Sequence, residues 1–171
     1  MGVEPDPGAA EFARTKHDLS VWTGTIQDVP LADRSCDLIT FWHVLEHVHD
    51  LKGVLRRASD LLSPGGKLAI AVPNPLSSDA RTYGGSWVAW DAPRHLYHFE
   101  PDVMLDVLLK LGFRPQRAGA VAFDAFYHSL LSERKTIFGF MRGGWRGFAS
   151  YLRGLAGAEG SSELYLAYKR L

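Results

Sequence analysis

The chain has 171 residues, which is enough for one domain with a sizeable hydrophobic core. Nineteen basic side chains balance nineteen acidic ones, so no overall positive charge attracts nucleic acid, and we expect no nucleic-acid partner. The single cysteine, Cys36, excludes an internal disulfide framework, and no apolar run approaches the roughly 18 residues of a membrane span. The opening sequence MGVEPDPGAA lacks the basic segment and apolar core of a secretory signal, so the expected location is the cytoplasm.

The first predicted elements are a helix and two strands. Residues 6–17 predict a helix, because Asp6 can cap its start and Pro7 suits the first helical position. Residues 19–24 (LSVWTG) predict a short strand. Residues 36–42 (CDLITFW) form an almost continuous apolar run with β-branched and aromatic side chains, which predicts a strand covered on both faces, as in a parallel sheet.

Helices and strands alternate through the rest of the chain. A helix is predicted from Leu51, because apolar residues recur at spacings of three and four, Asp50 can cap its start and the sequence SPGG at 63–66 stops it. A second helix is predicted between Pro101 and Gly112. Further strands are predicted at 67–72, 114–123 and 162–170. This alternation predicts a single α/β domain over residues 1–171 with a mostly parallel sheet.

Two segments interrupt the alternation. The segment of residues 74–100 is longer than a plain connection between two elements, which indicates a lid or substrate loop. Residues 124–160 are rich in aromatic and basic side chains and predict an inserted helical pair. This insert could contact a membrane surface or a lipophilic substrate, although covering the domain or forming a homodimer is the favoured interpretation.

The stretch FWHVLEHVHD at 41–50 matches the H-x-x-E-H pattern of a class of zinc peptidases. In such an enzyme His43 and His47 would lie in the middle of one helix, with a third ligand elsewhere. Instead, His43 directly follows a predicted strand, and the helix proper begins after Asp50. A zinc-dependent hydrolase is therefore the least favoured function, and we predict no metal site.

Four longer segments resemble the class I S-adenosylmethionine-dependent methyltransferases. DVPLADRSCDLI resembles the sequence leading into that family's fourth strand, HVLEHV the turn after it, and LLSPGGKLAIAVPN the passage into the fifth strand. WDAPRHLYHFEPDVMLDVLLKLGF is similar to the substrate-side segment of a small-molecule subgroup. The resemblance implies a Rossmann-like, mostly parallel sheet with flanking helices and an antiparallel C-terminal strand. It also implies S-adenosyl-L-methionine as cofactor and a small-molecule acceptor methylated at oxygen.

The resemblance assigns the cofactor contacts. Glu4 matches the acidic ribose-binding position, although an acidic residue before a helix is often only a cap. Thr25 and Ile26 fall in the adenine-contacting turn, where the family often has Asp in place of Thr25, and Trp42 lines the cofactor pocket. The family's first strand and glycine-rich loop should precede Glu4. Only three residues do, so we expect a fragment that lacks both, or, if Met1 is the true start, a catalytically inert interaction module.

Methyl transfer to oxygen needs an aligned acceptor and a base for its proton, and histidine suits that role near neutral pH. His43 is the first predicted base, followed by His95 and His98 on the lid. Arg94 could hold an anionic group of the substrate. A flat acceptor could stack on the lid side chains Trp87, Trp90 and Tyr97, unless these only cover the core.

The resemblance extends to some quinone-precursor O-methyltransferases that bind a divalent ion. They carry carboxylates and a histidine at the positions of His43, Glu46 and His47, and here a histidine replaces the first carboxylate. We therefore expect Glu46 and His47 to hydrogen-bond the turn and the neighbouring loop instead.

Overall fold

The computed structural model describes residues 1–133, 143–145, 147–148, 151 and 160–170. The strands of these residues are β1 (Gly2–Glu4), β2 (Val21–Thr23), β3 (Cys36–Trp42), β4 (Leu62–Pro73), β5 (Phe113–Ala120) and β6 (Ser162–Lys169). The longer helices are α1 (Pro7–His17), α2 (Leu51–Leu61), α3 (Ser78–Tyr83), α4 (Pro101–Lys110) and α5 (Ala122–Ser132). Single 3-10 turns lie at Leu45–His47, Gly84–Ser86 and Val88–Trp90.

The larger sheet has the strand order β3-β4-β6-β5. β3 pairs with β4 in parallel, and β6 pairs antiparallel with both β4 and β5. Three of these four strands therefore run in one direction, and the C-terminal strand alone is reversed. This confirms the predicted α/β class, with a mixed sheet and an antiparallel final strand.

β1 and β2 form a separate two-stranded parallel sheet. Among the described residues, β1 and β3 are each paired along one edge only. The prediction that β3 is covered on both faces is wrong, because Leu38 is 56% exposed and Trp42 is 52% exposed. The physical reason is that α1 packs against β1 and β2, while the core contacts β3 through Phe41 on its other face.

The core lies between that face of the larger sheet and helices α2 and α4. It joins side chains of β3, β4, β5 and β6 to both helices, and its fully buried members include Leu55, Leu68, Ile70, Leu108, Phe113 and Tyr165. The caps that the sequence predicts are present. The Asp6 carboxylate accepts a hydrogen bond from the Ala9 N–H at 2.6 Å, and the Asp50 carboxylate accepts one from the Gly53 N–H at 2.9 Å.

The strand after α2 is longer than predicted. It begins at Leu62, directly after the helix, and includes the SPGG sequence that was predicted to stop that helix. Leu62 pairs with Cys36 across an irregularity in the ladder, and the Ser63 hydroxyl donates to the Cys36 carbonyl at 3.2 Å. Leu62 and Lys67 thus both pair with β3, and the SPGG residues between them form an irregularity in the strand, with Gly65 at a left-handed φ of 77°.

The predicted lid forms a small structure of its own around Ala80, Trp87 and Ala89. Of the predicted insert, helix α5 is described, and most of residues 134–160 lie outside the described residues. No helix in the described part of the chain is long and apolar enough to cross a membrane.

Two adjacent leucines of α4 test the position of the core. Leu108 is fully buried and Leu109 is 49% exposed. We expect Leu108→Ala to lower the free energy of unfolding by about 2–5 kcal/mol, because it removes buried methyl groups and leaves a cavity. Leu109→Ala is the matched control and should cost less than about 1 kcal/mol. Chemical denaturation measures both, and equal losses would show that this face of α4 is wrongly placed.

Candidate active site

An apolar groove of about 660 Å³ separates the edge of β1 from the edge of β3. Its walls include Val3, Thr25, Ile26, Leu38, Trp42 and Val44. Three of the four predicted cofactor residues, Thr25, Ile26 and Trp42, therefore share one groove. Glu4 ends β1 beside it, and its Oε1 accepts a hydrogen bond from the Asp6 N–H at 2.8 Å.

The groove suits the nucleoside part of a cofactor. A half-exposed indole and aliphatic side chains can cover a flat base, and a carboxylate at the groove's edge can accept hydrogen bonds from ribose hydroxyls. The Thr25 side chain is already used within its turn, because its hydroxyl donates to Asp28 Oδ2 at 2.5 Å. This leaves the backbone and the half-buried Ile26 side chain as the contacts that this turn offers.

A second cavity of about 450 Å³ lies at the carboxyl end of β3. We call it the histidine cavity, and its lining includes His43, Glu46, His47, Asp91, Arg94, His95, Asp124, Tyr127 and His128. Trp42 lines the groove, and the next residue, His43, lines this cavity. Consecutive residues at the end of β3 therefore border the two spaces.

His43 is clamped between two carboxylates. Its backbone is left-handed, with φ of 52°, and its ring nitrogens contact Glu46 Oε1 at 3.2 Å and Asp124 Oδ2 at 2.8 Å. The imidazolium donates both hydrogen bonds, and the one accepted by Asp124, followed by the one accepted by Glu46, raises the pKa of His43 to about 9. His43 is therefore an imidazolium at neutral pH, and in that state it cannot accept a proton.

The partner carboxylates are themselves largely removed from water. Glu46 is 1% exposed. Burial opposes the charge of Asp124, but the hydrogen bond from His43 holds the pKa of Asp124 below its usual value. The three side chains form an ion cluster that connects the end of β3, the following turn and helix α5.

A second group, Glu46, His47 and His95, has ligand atoms that all lie within 4.8 Å of one another. Nδ1 of His47 hydrogen-bonds the Arg94 carbonyl at 3.1 Å, and Nδ1 of His95 hydrogen-bonds the Ala89 carbonyl at 2.8 Å. Because a carbonyl can only accept, Nδ1 of each ring carries a proton, and the neutral form of each ring has its lone pair on Nε2.

Glu46 Oε2 is buried without a hydrogen-bond partner in the described structure. One carboxylate and two imidazole lone pairs could hold a divalent ion. The presence of these three donors argues against the sequence-based prediction of no metal site. Elemental analysis of the purified protein for bound metal would test that prediction.

Besides His43 and His95, one more predicted site residue, Arg94, lines the histidine cavity, and its guanidinium pairs with Asp91 at 2.7 Å. The predicted lid residues Trp87, Trp90, Tyr97 and His98 are not part of the lining. Trp87 is 2% exposed and packs in the lid, and the ring of the exposed His98 lies edge-on to Trp90 with centroids 4.8 Å apart. The Tyr97 hydroxyl donates to the His49 carbonyl at 3.2 Å. Roles for these lid residues in substrate binding or catalysis stay predictions.

Helix α5 supplies cavity residues that the sequence analysis did not identify. Asp124, Tyr127, His128 and Leu131 line the cavity at spacings of three and four, so they share one face of the helix. The spacing of these four residues could have identified this helix face from the sequence, but the aromatic content of the segment suggested a contact surface instead. On the predicted contact surface of this insert, Tyr127, Trp145 and Phe148 are exposed.

The clamp on His43 gives a direct prediction for its titration. By NMR, the His43 ring should titrate near pH 9, and Asp124→Asn should lower that pKa, because the strongest hydrogen bond to the cation is lost. The folded-state pKa exceeds the ordinary value of 6.5, so the stabilisation is complete below pH 6.5 and is lost as the pH rises through about 9.

A stability measurement checks the same prediction. Between pH 6.5 and 9 the wild type should lose stability that His43→Asn does not lose, since asparagine tolerates the left-handed backbone and does not titrate. The nearby titratable groups to include in the comparison are Glu46, Asp124 and the neighbouring ring of His128. A His43 ring that titrates near 6.5 would contradict the clamp.

Comparison with known proteins identifies the family of the chain. A family model described as a methyltransferase domain matches residues 1–117. A ubiquinone biosynthesis O-methyltransferase of Xanthomonas oryzae pv. oryzae is 34% identical over 68 residues, which are 39% of this chain and 28% of that protein. The match thus spans under a third of that relative's length.

Solved structures share the fold. A possible histamine N-methyltransferase from Thermotoga maritima has a TM-score of 0.66 at 22% identity, covering 99% of this chain and 73% of that chain. The phosphoethanolamine N-methyltransferase 2 of Haemonchus contortus, solved with S-adenosyl-L-methionine, has a TM-score of 0.60 at 18% identity, covering 99% of this chain and 43% of that chain. Since the family model covers 117 of 171 residues, the chain belongs to the methyltransferase domain family, and its cofactor is that of the S-adenosylmethionine-dependent class.

Proposed function

We propose that the protein transfers the methyl group of S-adenosylmethionine to an oxygen atom of a small molecule bound in the histidine cavity. The observation that carries this proposal is that two consecutive residues line two different spaces. Trp42 lines an apolar groove, and His43 lines a polar cavity. One ligand in each space would bring two reactants together at the end of β3, which is where ligands of such sheets bind.

The groove holds the cofactor in this proposal. When bound, S-adenosylmethionine supplies a methyl group on a positively charged sulfur, ready for attack by an acceptor. Ile26 and Trp42 cover the base, and Glu4 receives the ribose hydroxyls. The lining of the groove by Ile26 and Trp42, and the position of Glu4 at the end of β1, support these roles.

The histidine cavity holds the acceptor. Its volume of about 450 Å³ is in the range of small-molecule sites. The relative with 34% identity over 68 residues is a ubiquinone biosynthesis O-methyltransferase, which supports oxygen as the methylated atom. Arg94, at the cavity's edge, is available for an anionic group of the acceptor after exchange from Asp91.

An acceptor hydroxyl must lose its proton when it gains the methyl group, and this proton needs a neutral base. His43 is charged, so it fixes Glu46 and Asp124 rather than taking the proton. The described wall retains two other histidines that face the cavity, His95 and His128, beside His47 at its edge. His95 stays a predicted base, since its Nδ1 is bound to the Ala89 carbonyl and its Nε2 keeps a lone pair.

We also propose partners and a location for the protein, and this part of the proposal rests on the sequence alone. We infer a cytoplasmic protein, with the surface of the 124–160 insert available for a second copy of the chain or for a lipophilic surface. An inert interaction module of the same fold is the alternative, and it would bind no acceptor in the histidine cavity.

Cofactor binding tests the groove. We expect calorimetry to detect binding of S-adenosylmethionine, and Trp42→Ala to weaken it by about 10- to 100-fold, because the variant loses the burial of an aromatic ring. Trp22→Ala is the matched control, since Trp22 is also partly exposed, at 38%, but lies on β2 outside the groove lining. Equal effects of the two variants would place the cofactor elsewhere.

Methyl transfer tests the reaction itself. The protein is incubated with methyl-labelled S-adenosylmethionine and a panel of catechols, phenols and amines, and products are identified by mass spectrometry. We expect label on oxygen in at least one hydroxylated aromatic, and loss of that activity in Trp42→Ala. Label on nitrogen alone would reject the O-methylation, and bound cofactor with no turnover across the panel would favour the inert module.

A further inference from the structure

A chain of three buried polar side chains ends at the histidine cavity. The Ser161 hydroxyl donates to Asp79 Oδ2, and Nδ1 of His128 lies 3.1 Å from Ser161 Oγ. Asp79 is 3% exposed, Ser161 1% and His128 6%. The three residues come from α3, from the residue before β6 and from α5, so the fold brings them together from distant parts of the sequence.

The order of hydrogen bonds fixes the tautomer of His128. A serine hydroxyl has one hydrogen, and here that hydrogen points to the Asp79 carboxylate. Ser161 Oγ can then only accept from His128, so Nδ1 carries the ring proton. Nε2 is left with a lone pair on a residue that lines the cavity.

The surroundings keep this ring neutral and in place. Burial lowers the pKa of His128 to about 4, against the opposing effect of Asp124. The Trp87 ring packs edge-on at a centroid distance of 5.7 Å, and the His43 ring does so at 6.4 Å. A neutral imidazole with its lone pair on Nε2 therefore lines the same cavity that the imidazolium of His43 borders.

We propose that Nε2 of His128, held as an acceptor by Ser161 and Asp79, binds the hydroxyl hydrogen of the methyl acceptor and takes that proton during transfer. The inference rests on the proposed function and names its substrate class, a neutral phenol or alcohol. The acceptor oxygen forms its new bond to the methyl carbon as the methyl–sulfur bond breaks, and the O–H proton passes to Nε2. The Asp124 carboxylate faces the resulting imidazolium, which then returns the proton to water.

The same geometry predicts a selectivity. A carboxylate acceptor would bring a second lone pair against Nε2, with no hydrogen between them. Acceptors with a hydroxyl group should therefore bind better than acceptors whose only oxygen is ionised. This selectivity distinguishes His128 from a base that merely lies near the site.

The tautomer is tested first, by nitrogen NMR of histidine-labelled protein with His128→Gln used for assignment. We expect a protonated Nδ1 and an unprotonated Nε2 on His128, with no titration between about pH 5 and pH 8. Ser161→Ala should abolish this fixed tautomer. Ser35→Ala is the control, because Ser35 is exposed and its hydroxyl bonds only locally to the Ala32 carbonyl. A proton on Nε2 in the wild type would overturn the proposal.

Catechol then serves as the hydroxyl probe, with 1,2-dimethoxybenzene and benzoate as comparisons. We expect catechol alone to shift the Nε2 resonance of His128. No shift with catechol up to its solubility limit, or an equal shift with all three, would overturn the inference. This readout needs no turnover, so a failure of methyl transfer with a catechol-specific shift would reject the proposed function and leave the binding role of Nε2 intact.

Steady-state kinetics distinguishes His128 from His95 as the base, with the hydroxylated substrate that the labelling panel identifies. His128→Gln should lower kcat by about 100-fold or more, the usual contribution of a general base, with a smaller effect on KM. Ser161→Ala should lower kcat in the same direction, while Ser35→Ala should not change it. A loss of kcat confined to His95→Gln would assign the proton to that histidine and overturn the proposal.

Discussion

The arrangement of the candidate site depends on the hydrogen bonds that hold His43 between Glu46 and Asp124. They join the residue that follows β3 to the next turn and to Asp124 of helix α5, which is 81 residues further along the chain. Because His43 adopts a left-handed backbone, the chain leaves β3 abruptly, so that Trp42 and His43 border different spaces. The groove and the cavity are thus both bordered by this one turn of the chain.

Forming such a cluster of buried charged side chains costs free energy, which indicates that the cluster serves a function besides stability. Removing a carboxylate such as Glu46 from water costs several kcal/mol unless hydrogen bonds and an opposite charge compensate. Hydrophobic side chains of similar volume would have stabilised the fold as well. The retention of charge, the raised pKa of His43 and the lowered pKa of His128 together give the cavity one cationic and one neutral imidazole. A site for proton transfer needs such differences between neighbouring groups.

The sequence predicts elements whose causes are local and misses contacts that depend on the whole fold. Asp6, Asp50 and the apolar spacing after Leu51 correctly place two helices and their caps. The open face of β3 could not be read from its apolar run, since exposure there depends on which strands pair beside it. The SPGG sequence lies within a strand because Leu62 before it and Lys67 after it both pair with β3. Asp124 and His128 were missed, because their partners are far away in sequence.

The central claim is that the cofactor groove and the histidine cavity meet at Trp42 and His43. The most direct measurement is a chemical-shift map of the labelled protein on addition of S-adenosylhomocysteine, the demethylated cofactor. We expect the largest changes at Ile26, the Trp42 indole and the His43 backbone, which lie at the groove and at its junction with the cavity. No change at Trp42 and His43, with the largest changes on α4 or β5 instead, would contradict this arrangement.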